Sequence, residues 1–344
     1  MPRLFRALSV VILLLSIHAF AQNARPKVPC AACHEQGRTQ PSTSMARAAE
    51  TPQESVILGN KILLTFQSSD YSYRIEKRGD QSIYSVSNGK ETLEVPIDWA
   101  VGAGRIGQTY VFKKDGEYYE SRVSYFKEID GLDITIGHQG IRPKTLMEAA
   151  GKQVGAIAAM NCFNCHATNA VASGKLTLSQ MEPGLRCVRC HEAAPKHLAG
   201  LSQGELDLGE MKKLTLMSPE QTITFCGQCH RTAVDVQTDA MDLNTVRFAP
   251  YRLTLSKCYD PGDKRITCTA CHDPHQEVGV QQVDYDSKCQ TCHVAGKSSV
   301  PTCKVATKDC TSCHMAKIDL AGAHHRFTDH WIRIDKAVVQ KASR

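Results

Sequence analysis

Fourteen of the chain's sixteen cysteines fall into seven copies of Cys-x-x-Cys-His, and no other feature limits the fold so tightly. The copies are Cys30/Cys33/His34, Cys162/Cys165/His166, Cys187/Cys190/His191, Cys226/Cys229/His230, Cys268/Cys271/His272, Cys289/Cys292/His293 and Cys310/Cys313/His314. This spacing suits two thiols adding to the vinyl groups along one porphyrin edge while the next residue offers its imidazole to the iron. Paired cysteines with nearby histidines also build zinc sites. Zinc, however, gives no reason for His to follow the second Cys every time, and an odd number of units fits poorly with sites made from pairs. A disulfide within Cys-x-x-Cys is a redox device, not a staple. The expected cofactors are therefore seven haem c groups, each with iron.

Two cysteines remain, Cys258 and Cys303. In an oxidising compartment a disulfide between them is the expected use, with separate thiols as the alternative.

A haem that only passes electrons has both axial positions filled by protein, whereas one that does chemistry keeps a position open. Besides the proximal set and His18, the chain has His138, His197, His275, His324, His325 and His330, one short of a full distal set. His275 follows His272 too closely to reach the opposite face of the same haem, so it is expected to ligate another. His197 is sent away from the haem of His191 by the same reasoning. The distal metal ligands expected are His197, His275, His324 and His330, with His138 a further candidate and His324 favoured over its neighbour His325. Met45 is the candidate for the missing ligand, after His34, and thioether ligation would make the first haem the high-potential end. The other reading of Met45 is packing on a short helix.

Residues 2–6 are basic, 7–17 apolar, and Ala19-Phe20-Ala21 has the small-x-small form of a signal-peptidase site. Export to the periplasm, or beyond the cell, is expected after removal of residues 1–21. No later stretch approaches the roughly 20 apolar residues of a spanning helix. The formal charge of +6 includes Arg3 and Arg6 of that leader and is too mild to point to nucleic acid. Lysine and arginine read first as partners for haem propionates and then as docking groups.

Motif spacing divides the rest: a single-haem segment (22–50), a small β domain (51–141) and a hexahaem domain (142–344). Strands are expected at 71–75, 82–86, 109–112 and 118–125 from alternation and β-branched or aromatic content. Turns are expected at Arg78-Gly79-Asp80, Asn88-Gly89 and Asp115-Gly116. Alanine-rich residues 144–160 read as helix. Gly102-Ala-Gly104-Arg-Ile-Gly107 matches G-x-G-x-x-G, but a strand is expected next where the dinucleotide motif needs a helix, so these are turn glycines. The fold class expected is α+β: a haem-packed body of mostly short helices and irregular loops, with a small antiparallel β domain inserted after the first haem.

Arg265-Ile-Thr-Cys-Thr-Ala-Cys-His-Asp-Pro-His, then Cys310-Thr-Ser-Cys-His-Met and His324-His-Arg-Phe-Thr-Asp-His330, resemble the doubled-C-x-x-C-H multihaem cytochromes. More distantly they resemble the group of tetrahaem nitrification cytochromes, pentahaem nitrite reductase and octahaem hydroxylamine oxidoreductase. The resemblance implies stacked and perpendicular haem pairs, with His197, His275, His324 and His330 as distal ligands. The Cys-x-x-Cys-Lys motif of nitrite reductase's active haem is absent, and Ala316 stands where relatives often have proline.

The leading expectation is an exported electron-transfer cytochrome serving other redox proteins as donor and acceptor, in association with a membrane-bound quinol dehydrogenase or a surface conduit. The alternatives are an oxidoreductase acting on a small nitrogen or sulfur compound at one open haem, and a subunit of an extracellular haem filament.

Overall fold

The computed structural model describes residues 30–68, 70–204, 213–236, 243–279, 283–294 and 302–334. The leader, residues 1–21, lies outside the described residues.

Alternating side chains and tight turns build the β-rich half, preceded by a short helix α1 (Gln36–Thr39). Strand β1 (Ala49–Glu50) leads into α2 (Val56–Asn60), whose first turn is capped by the Ser55 hydroxyl accepting the Leu58 N–H. A four-stranded antiparallel sheet follows in simple order: β2 (Leu63–Ser68), β3 (Tyr71–Arg78), β4 (Gln81–Ser87) and β5 (Thr92–Pro96). Next come β6 (Trp99–Val101), β7 (Gly107–Lys114), β8 (Glu117–Phe126) and β9 (Gly131–Ile134). Asp115 and Gly116, both at positive φ (51° and 89°), close the β7–β8 hairpin with the twist that two-residue turns require. Asn88 turns the chain differently, its side-chain oxygen accepting the N–H groups of Lys90 and Glu91.

The expected helix over 144–160 is broken. Helix α3 (Leu146–Ala150) stops at β10 (Gly151–Val154), which pairs antiparallel with β8, and α4 (Ala156–His166) begins after it. At Gly151 a Cβ would stand 2.2 Å from the Glu120 carbonyl oxygen, so sheet pairing at a glycine overrides the helical preference of the flanking alanines. The second sheet runs β1-β6-β7-β8-β10 with β9 on β8, and so recruits residues on both sides of 51–141.

Both sheets share one core that includes Tyr73, Tyr84, Tyr110, Phe112 and Tyr125, and the Tyr84 hydroxyl donates to the Ala150 carbonyl at 2.8 Å. Large side chains of this kind contribute about 1.5–3 kcal/mol each on burial, so this half holds itself together by ordinary packing.

The motif-bearing half is built otherwise. Its helices are α4, α5 (Cys187–Cys190), α6 (Ala194–Ser202), α7 (Pro219–His230), α8 (Ala249–Thr254), α9 (Cys268–Cys271), α10 (Tyr285–Gln290) and α11 (Cys310–His314). Among the described residues one buried cluster centres on Phe163, Ala167 and Ala170, with Trp99 of β6 against Phe163, and Ile223, Val246, Tyr251 and Leu253 are buried elsewhere in this half. The fold is thus mixed α+β, with its main apolar core in the sheets.

Candidate metal centres

Each motif lies at a helical turn. The histidine N–H donates to the first cysteine's carbonyl at His34 (2.8 Å), His191 (2.8 Å), His272 (2.8 Å) and His293 (3.0 Å). A turn of this kind places residues i, i+3 and i+4 on one face, which gathers both thiols and the imidazole. Capping starts these turns where the sequence supplies it: Thr267 accepts from Ala270, Asp284 from Ser287, and Ser218 forms a capping box with Gln221.

Three proximal histidines meet a distal one from elsewhere in the chain. His34 faces His197, His191 faces His275 and His272 faces His330, with ring centroids 6.1, 6.1 and 6.2 Å apart and interplanar angles of 44°, 4° and 48°. An imidazole nitrogen bonds a first-row metal at about 2.0 Å, and with each ring centre about 1.1 Å behind its nitrogen, two imidazoles across one ion stand about 6.2 Å apart. The residues therefore fit a metal held between the rings.

Hydrogen bonds fix which nitrogen is presented. Nδ1–H donates to a backbone carbonyl in His166 (Ala48, 3.0 Å), His314 (Arg333, 3.2 Å) and His330 (Thr328, 3.1 Å), and to the Asp273 carboxylate in His275 (2.9 Å). That arrangement leaves Nε2 as the nitrogen that could ligate a metal and raises its basicity. Burial lowers the pKa of His166, His230, His272 and His330, in His230 with help from neighbouring His166. Burial thereby favours in each the neutral form that metal ligation would need.

The other candidates are arranged differently. His138, 3% exposed, has Nε2 3.0 Å from Glu120, and His324 has Nε2 2.6 Å from Asp133. In both, the nitrogen that would reach a metal is turned to a carboxylate of β8 or β9. His325 packs edge-on to Phe327. Met45 is half-buried, and its carbonyl accepts the N–H groups of Ala48 and Leu185. At the first motif His34 has the imidazole of His197 with its centroid 6.1 Å away.

The cysteines meet across motifs. Thiols of different motifs lie beside one another: Cys30 by Cys187, Cys165 by Cys229, Cys226 by Cys268, and Cys289 by Cys310. Contact with Cys268 and burial push the Cys226 thiol well up, while Cys229 draws Cys165 down to about 6. These contacts bring the attachment edges of different sites together.

Every cysteine, Cys33 and Cys313 included, is a free thiol. Cys33 is exposed, and its N–H donates to the Cys30 carbonyl at 3.2 Å. Cys313 is half-buried, and its Sγ accepts the Ser312 hydroxyl at 3.8 Å. Cys162, also exposed, has Cys165 of its own motif as its thiol neighbour.

The expected disulfide does not form: Cys258 and Cys303 are separate thiols. Cys258 sits near Cys289 and Cys292, whereas exposed Cys303 accepts the Ala306 N–H at 3.5 Å, so the two are drawn to different surroundings.

One buried element escaped the sequence reading altogether. Arg252 (2% exposed) and Asp329 (0%) form a bidentate ion pair at 2.9 and 2.6 Å beside His330. Asp329 precedes a ligand candidate, but nothing in the spacing marks Arg252 as its partner.

Comparison of the chain with protein-family models, curated proteins and solved structures gave no match in any of the three. Among the described residues no three His, Cys, Asp or Glu side chains converge on one point, and no helix is long and apolar enough to cross a membrane.

Proposed function

We propose that the chain is an exported heptahaem c-type cytochrome that transfers electrons between redox partners through closely packed haems. The observation that carries this reading is the set of three imidazole pairs at 6.1 to 6.2 Å, each joining a motif histidine to one remote in sequence or from another motif. The sparse apolar packing of the motif-bearing half supports it too, because a chain this poor in its own core needs another apolar body to fold around.

When bound, haem supplies a reversible one-electron couple at its iron. The Cys pairs would hold each haem through thioether links, and His34/His197, His191/His275 and His272/His330 would supply the ligands to three of the irons. Arg189 hydrogen-bonds Asn164 between the second and third motifs, and Arg231 follows the fourth, so both are fit to balance propionate charge. Donor and acceptor are other redox proteins, with a quinol dehydrogenase or a surface conduit as membrane-side partner.

A second reading is favoured by the histidine count. Three pairs leave His138, His324 and His325 for four motifs, and His138 and His324 already present Nε2 to carboxylates. One open haem would make the protein an oxidoreductase for a small nitrogen or sulfur compound.

Intact mass and a redox-resolved spectrum, after expression with a cytochrome maturation system, test both readings. Seven haems with every iron low-spin are expected of the carrier. Carbon monoxide binding to one haem favours the enzyme, and a mass equal to the polypeptide alone overturns both.

A further inference from the structure

The segment 328–333 touches two motifs that the sequence separates. His330 faces His272 of the fifth motif at 6.2 Å, and three residues on, the Arg333 carbonyl accepts the Nδ1–H of His314, the proximal histidine of the seventh, at 3.2 Å. The Arg333 N–H returns to the His314 carbonyl at 3.1 Å, so the two residues hold each other by backbone and ring.

One buried carboxylate fixes this segment. Asp329 receives Arg252 in bidentate fashion, Arg333 Nη1 at 2.6 Å and the Trp331 N–H at 3.0 Å, while its own N–H donates to the Ala316 carbonyl at 3.0 Å. The Trp331 ring lies between the two guanidinium groups, 5.2 Å from Arg252 and 4.4 Å from Arg333. Ser256 completes the frame, donating to the His330 carbonyl at 3.1 Å and accepting the Ile332 N–H at 2.7 Å. Replacing a buried ion pair by apolar groups can leave stability unchanged, so its use here is to fix a geometry. Both geometries it fixes belong to ligands: the direction of the His330 ring, and the proton on His314 Nδ1 that sets how strongly Nε2 donates.

We infer that Arg252, Asp329 and Arg333 form one clamp that positions His330 and His314 together, so that a single ion pair governs the fifth and seventh centres at once. The inference rests on the haem reading above and adds to it a coupling between two haems through protein alone. Arg252 and Asp329 are positioning residues in this scheme, since each acts through a ligand.

The test is Asp329→Asn, expressed with the maturation system and compared with the parent and with His330→Met. Readouts are intact mass, the number of haems that bind carbon monoxide, and a spectrally resolved redox titration. Asp329→Asn is expected to keep seven haems, to alter the same centre as His330→Met, and to displace the titration of one further centre. Ser256→Ala removes the hydrogen bonds to the His330 carbonyl and the Ile332 N–H but leaves the Asp329 ion pairs standing, so it is expected to displace the second centre less than Asp329→Asn does. An Asp329→Asn protein whose spectrum and titration match the parent overturns the clamp, as does a change confined to one centre. Should Asp329→Asn fail to accumulate, Arg333→Met removes the half-exposed arm while leaving the Arg252–Asp329 pair. A shift at the seventh centre then supports the inference, and an unchanged titration overturns it. A parent that carries no haem sinks the reading beneath, while a haem-loaded parent with an indistinguishable Asp329→Asn variant sinks the clamp alone.

Discussion

The imidazole of His191 lies parallel to that of His275, planes 4° apart and centroids 6.1 Å apart, although His275 is three residues from the proximal histidine of a different motif. The Asp273 carboxylate holds the His275 ring by Nδ1, so the short Cys-His-Asp-Pro-His run serves two centres. His275→Ala is therefore expected to open the third centre and leave the fifth low-spin. Carbon monoxide binding to one added haem shows the opening. Combining the change with Cys187→Ala and Cys190→Ala, which removes the third haem, should abolish that binding. Binding that survives the combination would assign His275 to its neighbour His272 instead.

At the first motif two candidate ligands compete, and the geometry separates them. His34 has the His197 ring 6.1 Å away, while the Met45 carbonyl accepts the N–H groups of Ala48 and Leu185. His197 Nδ1 is buried without a hydrogen-bond partner among the described residues, so its ring is seated by packing. Met45→Ala should leave the visible spectrum and redox titration unchanged, whereas His197→Ala should create one high-spin haem. The reverse pattern would restore the thioether and, with it, a high-potential first haem.

What the sequence made legible was whatever a few neighbouring residues decide. Asp115-Gly116 forms its hairpin because both residues tolerate positive φ locally, and the strands around Tyr73, Tyr84, Phe112 and Val123 follow from alternation. The motifs were legible for the same reason, since a single helical turn gathers Cys, Cys and His. Partnerships across the fold were not. Gly151–Val154 is a strand only because β8 offers an edge to a glycine, and His324 meets Asp133 rather than a motif histidine because β9 lies beside it. Arg252 and Asp329 stand 77 positions apart, and no local pattern ties them.

Gly184 offers a test of how the first and third motifs are held together. Its φ is +73°, and a Cβ there would stand 1.8 Å from the Ala46 carbonyl oxygen, backbone against backbone. The left-handed conformation alone costs a non-glycine residue about 1–2 kcal/mol. The overlap adds to that cost, because neither chain can turn aside as a side chain would. Leu185 on the next position donates to Met45 and accepts from Gln40, so displacement here separates the segments bearing both motifs. Gly184→Ala is expected to lower unfolding stability by more than about 2 kcal/mol, read from urea titration by circular dichroism. Gly174→Ala, also at positive φ (+70°) but with open space at its Cβ, should cost only the conformational part. Equal losses would show that the Ala46 contact has no weight.

Acid stability should report on the buried pair. Burial by itself raises the Asp329 pKa, but hydrogen bonds from Arg252, Arg333 and the Trp331 N–H outweigh it, and the pKa falls below the ordinary 3.8. A carboxylate depressed in the folded state contributes stability that is fully present above its unfolded value and is lost as pH falls through its folded one. Removing one partner of a buried ion pair costs about 3–5 kcal/mol, so Asp329→Asn should unfold at lower urea at neutral pH. The gap between parent and variant should hold constant down to about pH 4 and then narrow, because the parent alone has this proton to take up. Subtracting the two curves cancels every other carboxylate, including any contributed by bound haem. A gap that stays constant well below pH 4 would mean that Asp329 takes up its proton equally in the folded and unfolded states. Its guanidinium partners would then not favour its charged form, and the acid limb of the protein's stability would have to come from exposed pairs such as Glu94 with Arg78.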